Sequence, residues 1–146
     1  MRAIGSTPDK ADHAVYKTCI SAYTHADKYI HVTTAYFVPD RQLVQAMIDA
    51  ARRGVEVKII FPSFTDVGLL LHAGRSYHDE LLAAGIIYER KSTMLHAKTV
   101  VIDGVWATIG STNIDMRSFL HNDEFNDCAR IHVRQQGIVP TTKGRQ

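Results

Sequence analysis

The spacing of apolar positions changes period along the chain. Ala11, Ala14, Val15, Thr18, Cys19 and Ala22 recur at helical spacing behind Ser6-Thr7-Pro8-Asp9, an entry with a hydroxyl cap and a proline in the first turn. This predicts a helix to about Ala26. Tyr29–Thr33 alternates and is β-branched, which predicts a strand. Pro39-Asp40 opens a second helix with Leu43, Val44, Ala46, Met47, Ala50 and Ala51 on its inner face, and Gly54 is placed to end it. Val55–Ile60 reads as a strand broken at Phe61-Pro62. A third helical pattern runs from about Asp66 to Ala84 and stops at Gly85, ahead of a short strand at Ile86–Glu89. Strands alternating with helices long enough to cross over predict an α/β sheet with right-handed connections.

After Glu89 the pattern changes. Leu95–Ile102 and Val105–Ile109 are apolar runs joined by Asp103-Gly104, a strong hairpin signal. Gly110-Ser111-Thr112-Asn113 follows, with a short helical segment expected near Thr112 and a last strand at Phe125–Val133. Residues 134–146 combine Gly and Pro with no apolar period and are expected to form a flexible tail, leaving a single domain at 1–133.

Composition narrows the function classes. A chain of 146 residues with 45% hydrophobic and 22% charged residues has the makeup of one globular domain with a sizeable core. A net charge of +2 makes no case for a strong nucleic-acid footprint. Cys19 and Cys128 lack metal-ligand spacing and read as small packed side chains in a reducing compartment. No run approaches the roughly 18–20 apolar residues of a membrane span, and the start has no signal-peptide core. The expectation is a cytoplasmic chain, or one held peripherally at the inner membrane.

The hairpin carries the chemistry. Alternate residues of a strand share a face, so His96, Lys98, Val100 and Ile102 project one way and Ala97, Thr99 and Val101 the other. Two basic groups side by side on a buried strand repel and cost desolvation unless an anion sits between them. A phosphate fits: Lys98 neutralises it, and His96 attacks it or donates to it. The returning strand brings backbone N–H groups of Gly110 and Ser111, and the Asn113 amide, to the same end.

These residues spell H-x-K-x4-D-x6-G-S-x-N, and the chain resembles the phospholipase D superfamily on that signature. The stretches "TTAYFVPD", "AARRGVEVKIIFP", "AGRSYHDELLAAGIIYER" and "STNIDMRSFLHNDEFN" resemble the C-terminal half of bacterial cardiolipin synthases, from about Ile4 to Cys128. The resemblance implies a phospholipase D-like sandwich, a central mixed β-sheet flanked by helices. It implies a phosphatidyltransferase that passes a phosphatidyl group between phosphatidylglycerol molecules through a phosphohistidine, without cofactor or metal. His96 would be nucleophile or general acid, with Lys98 and Asn113 on the phosphoryl oxygens. Glu124 would fix the tautomer of His96, and Ser111 and Gly110 would bind substrate. The resemblance counts Asp103 among the catalytic residues, whereas turn chemistry gives it a structural role. Tyr36 and Arg75 lie in family-like text and are candidate substrate contacts. A membrane surface is an implied partner.

The motif occurs once, so a second histidine must come from a missing half or from a second copy. The alternatives are a homodimeric phosphodiesterase or endonuclease acting on nucleic acid, and a catalytically incomplete fragment. The other histidines have no matching constellation and read as surface or packed residues. Arg52-Arg53 reads as a solvated helix end, and Trp106 as core.

Overall fold

The computed structural model describes residues 2–6, 14–62, 77–91, 95–115 and 124–130. Its elements are β1 (Arg2–Ser6), α1 (Ala14–Thr24), β2 (Tyr29–Thr33), β3 (Phe37–Val38), α2 (Arg41–Arg52) and β4 (Glu56–Pro62), then α3 (His78–Ala83), β5 (Ile87–Lys91), β6 (Thr99–Ile102), β7 (Trp106–Gly110), β8 (Ile114–Asp115) and β9 (Glu124–Arg130). A seven-stranded mixed sheet runs β1-β9-β7-β6-β2-β4-β5, and β3 pairs with β8 in a separate ribbon. The pairs β2–β4 and β4–β5 are parallel, as crossovers through α2 and α3 require, while β2–β6, β6–β7, β7–β9 and β1–β9 are antiparallel.

The core lies between this sheet and the two long helices. Ile30 and Val32 of β2, Val57 and Ile59 of β4, and Val100 and Ile102 of β6 face Val15, Cys19 and Tyr23 of α1 and Leu43, Val44 and Met47 of α2. Each such side chain contributes roughly 1.5–3 kcal/mol when fully buried. Residues of opposite parity, His31, Thr33, Lys58, Ile60, Thr99 and Val101, are half-buried, and Ile109 is exposed.

The ends of α2 follow the sequence reading with one addition. Asp40 Oδ1 accepts from Leu43 N at 3.0 Å and so caps the helix, while Oδ2 accepts from the Tyr16 hydroxyl at 2.6 Å and ties the cap to α1. Gly54 takes φ +92°, the left-handed conformation expected just past a helix end. Arg53, exposed as a solvated helix end should be, also donates to the carbonyls of Tyr23 (3.1 Å) and Ala26 (3.4 Å) at the C-terminal end of α1.

Other boundaries differ from expectation. β1 and β3 carry no alternation long enough to read as strands. The helical segment expected near Thr112 is instead β8, whose Ile114 and Asp115 pair with Phe37 and Val38. β4 continues through Phe61 and Pro62, which pair with Arg90 and Lys91 of the edge strand β5. The entry of the first helix, the first part of the third, the C-terminal part of the last strand and the tail at 134–146 lie outside the described residues.

Asp103 fixes the hairpin turn. It adopts φ +56°, tolerated by aspartate in tight turns, and its N–H donates to the Tyr29 carbonyl at 3.1 Å. Its carboxylate accepts from the backbone N–H groups of Asp27, Lys28 and Tyr29, each at 2.8 Å, and so caps the start of β2. Burial pushes its pKa up, but the three N–H donors and the Lys28 charge together hold it below the usual carboxylate range. A depressed folded-state pKa adds stability above the unfolded-chain value and loses it as pH falls through the folded one. Asp103→Asn is therefore expected to flatten the acid limb of a melting-temperature profile between about pH 2 and 5, and Asp103→Ala to cost about 2 kcal/mol at neutral pH. An Asp103→Ala chain with unchanged melting temperature at pH 7 would refute this anchoring role.

Candidate functional site

Residues 95–98 are irregular and lead into β6 at Thr99. The hairpin extends one residue into them, because Gly110 N donates to the Lys98 carbonyl at 3.2 Å. Lys98 is only 8% exposed, on the core side with Val100 and Ile102, while His96 is exposed. The Lys98 ammonium curls back on His96. It donates to the His96 carbonyl at 2.7 Å and lies 3.0 Å from Nδ1 and 3.2 Å from Nε2 of the ring. A ring nitrogen that accepts such a bond must carry its lone pair. The two side chains expected to share an anion thus stand side by side.

The segment after β7 is anchored at alternate residues. Gly110 N reaches the Lys98 carbonyl, Thr112 N donates to Asn126 Oδ1 at 3.3 Å, and Ile114 N donates to Thr34 Oγ1 at 3.3 Å. Asn113 is 9% exposed, and its Oδ1 has no hydrogen-bond partner among the described residues, as is also true of Thr112 Oγ1. A buried carboxamide oxygen left unpaired costs about 1–3 kcal/mol. Ser111 is exposed at the surface of the same loop. Beneath them lies a cavity of about 10 Å³ lined by Lys98, Thr112, Asn126, Thr108, Thr33 and Cys19. Burial, with a smaller contribution from Cys128, pushes the Cys19 thiol up to about 12, so it is a packing group rather than a nucleophile.

The structure thus brings His96, Lys98, Gly110, Ser111 and Asn113 to one end of the hairpin. Tyr36 precedes β3, whose Phe37 pairs with Ile114, so Tyr36 flanks Asn113. The backbone of Glu124 opens β9 two residues before Asn126, which pairs with Gly110, so its position is at the same end of the sheet. Its side chain and the whole of Arg75 lie outside the described residues. Asp103 is not brought there. Seven residues of extended chain separate it from His96, roughly 20 Å at the rise of a strand, and its carboxylate is committed to β2. The structure places it at the turn end of the hairpin, apart from the other candidates, in the position that turn chemistry predicts.

Three other histidines have local partners: His31 lies 2.6 Å from Glu56, His25 2.7 Å from the Ser21 carbonyl, and the His78 ring sits 4.4 Å from Tyr88. Trp106 is half-buried against the core. Sequence reasoning missed Thr34 and Asn126, both buried and both bonded to the loop. For Asn126 the signal was a polar residue at a core-facing position of a strand; Thr34 lies one residue past β2.

Comparison with known proteins places this geometry. The fold is that of phospholipase D family members: Nuc from Salmonella typhimurium superposes with a TM-score of 0.71 at 20% identity, covering 89% of this chain and 84% of that one. Phosphatidylserine synthase from Haemophilus influenzae gives a TM-score of 0.69 at 12% identity, over 88% of this chain and 34% of that one. The model of the cardiolipin synthase, phospholipase D-like domain matches residues 19–130, and the chain belongs to that family. A cardiolipin synthase from Halalkalibacterium halodurans is 40% identical over 127 residues, 86% of this chain and 25% of that protein. Cardiolipin synthase A of Shigella flexneri is 39% identical over 125 residues, 85% of this chain and 26% of that protein. The chain spans about a quarter of the length of these curated relatives.

A buried ammonium is a poor stabiliser, since its desolvation offsets its hydrogen bonds. Lys98→Met is accordingly expected to keep the melting temperature, with any loss under about 1 kcal/mol, while abolishing binding of inorganic phosphate seen as shifts of the Ser111 and Asn113 amide resonances. Phosphate shifts of normal size in Lys98→Met would show that the lysine is not the anion's partner.

Proposed function

We propose that this chain supplies one motif-bearing half of a phosphatidyltransferase of the cardiolipin synthase type. The observation that carries the reading is the nearly buried Lys98 ammonium, 3.0 Å from the exposed His96 ring. Membership of the cardiolipin synthase family supports a phospholipid substrate. An incoming phosphoryl oxygen competes with the ring for the ammonium protons. Binding the anion therefore releases the ring nitrogen as it brings phosphorus within reach. Asn113 and Ser111 complete the cradle for the oxygens.

The reaction runs in two displacements. His96 attacks the phosphorus of a phosphatidylglycerol, a P–N bond forms, and the P–O bond to the free glycerol unit breaks. A general acid protonates the departing alkoxide, giving glycerol and phosphatidyl-histidine. A hydroxyl of a second phosphatidylglycerol, deprotonated by the same group now acting as base, displaces the histidine and yields the doubly phosphatidylated product. Glu124 is assigned to the second nitrogen of His96, as a carboxylate that holds the tautomer and balances the developing charge. The acid is a second histidine from another half or another copy of the chain. The substrates lie in a bilayer, so the chain works at a membrane surface. Among the described residues no helix is long and apolar enough to cross one.

His96→Ala is expected to remove transfer from labelled phosphatidylglycerol to background while leaving the circular dichroism spectrum unchanged, and Asn113→Ala to lower turnover by ~10²–10³. A folded His96→Ala chain with near-normal transfer would overturn the assignment. Cleavage of single-stranded DNA without lipid transfer would replace it by the nuclease reading.

A shared site also makes rate depend on assembly. Specific activity of the chain alone is expected to rise with concentration in step with dimer mass in sedimentation, or to appear only when the remaining part of the enzyme is added. Full activity at a concentration where the chain sediments as a monomer would require the second acid to lie within these residues.

A further inference from the structure

We infer that Asn126 is a positioning residue that sets the height of the Ser111–Asn113 segment beside Lys98; the inference rests on the phosphoryl-transfer reading of that site. The amides of Gly110, Thr112 and Ile114 all donate to the fold, to the Lys98 carbonyl, Asn126 Oδ1 and Thr34 Oγ1. These three bonds pin the segment on either side of Ser111 and of Asn113. Two of the three anchors are side chains, and they differ in kind. Thr34 is wholly buried and is itself held by its bond to the Tyr36 carbonyl at 2.7 Å. Asn126 reaches the loop from β9, two residues after Glu124.

The carboxamide of Asn126 is matched to this task at both ends. Its oxygen accepts from Thr112 N, and its Nδ2 donates to Thr108 Oγ1 at 3.2 Å on the neighbouring strand. It is 4% exposed on the core side of the sheet. The backbone already joins β7 to β9 through the Thr108–Cys128 and Gly110–Asn126 pairs, so strand pairing does not need this side chain. What the side chain adds is a fixed spacing between Thr112 and the strand that opens with Glu124. It thereby couples the donor loop to the residue assigned to orient His96. Loss of the clamp lets the loop shift, and a displacement near 1 Å at a transition-state donor costs up to ~10²-fold in rate.

Asn126→Leu keeps the volume and deletes both bonds; Thr108→Val removes only the outer anchor. Two probes are used: turnover of bis(4-nitrophenyl) phosphate by the assembled chain, and titration of inorganic phosphate followed on the Ser111 and Asn113 amides. For Asn126→Leu we expect kcat to fall by ~10–100-fold with KM changed by less than ~3-fold, because the donors act mainly in the transition state. Thr108→Val should show the same split at ~3–5-fold. Hydrogen exchange should speed up at Thr112 while the Val100 and Ile102 amides stay protected. Unchanged kcat in a variant with an exposed Thr112 amide overturns the inference, and so does a purely KM effect. If Asn126→Leu does not fold, the Thr108→Val split decides alone. If the wild-type chain binds phosphate without turnover, affinity decides: ~10-fold weaker binding in Asn126→Leu supports the clamp, and equal binding overturns it. A wild-type chain that neither turns over nor shifts with phosphate refutes the parent reading instead.

Discussion

The site depends on the register of the β6–β7 hairpin, which is held at both ends. At the turn, the Asp103 carboxylate gathers three amides at the start of β2. At the open end, the Gly110 amide reaches the Lys98 carbonyl. Between them Val100 and Ile102 are 3% exposed against α1 and α2. A slip of one residue would turn Lys98, Val100 and Ile102 away from the core to the other face. The same apolar contacts that stabilise the sheet therefore hold an ammonium that would otherwise avoid burial.

This division of labour explains why a motif aspartate stands so far from the motif histidine. The signature spaces His96, Lys98 and Asp103 along one strand, and only the first two share an end. Asp103 fixes where the strand turns back against β2, and the register of the hairpin runs from that turn to Gly110 and the Lys98 carbonyl.

Much of this was legible in the sequence because it is written in local periodicity. The alternation at Tyr29–Thr33, the capped entry of α2 at Asp40 and the Asp103-Gly104 turn each state their structure within a few residues. The face shared by Lys98, Val100 and Ile102 followed from the period of a strand. What escaped is non-local. β1 exists because β9 offers it an edge, and the short β3 and β8 exist because each is the other's partner. The bonds of the exposed Arg53 escaped because its acceptors stand at the end of a helix some thirty residues earlier in the chain. Thr34 and Asn126 escaped for the same reason, since their partners are 80 and 14 residues away.

The direct contact of Lys98 with His96 also constrains where the rest of the active site must come from. An ammonium beside the ring stabilises negative charge on phosphoryl oxygens, but it cannot hand a proton to a leaving alkoxide and stay a cation. That proton needs a group titrating near neutrality on the opposite side of phosphorus, in line with the attacking nitrogen. The described histidines do not stand there. His31 opposite Val101 is on the other face of the sheet, His25 lines a groove with Asp103 at the turn end, and His78 packs on Tyr88. In the proposed reading Lys98, Asn113 and Ser111 supply the anion side of the site, and the acid comes from outside the described residues.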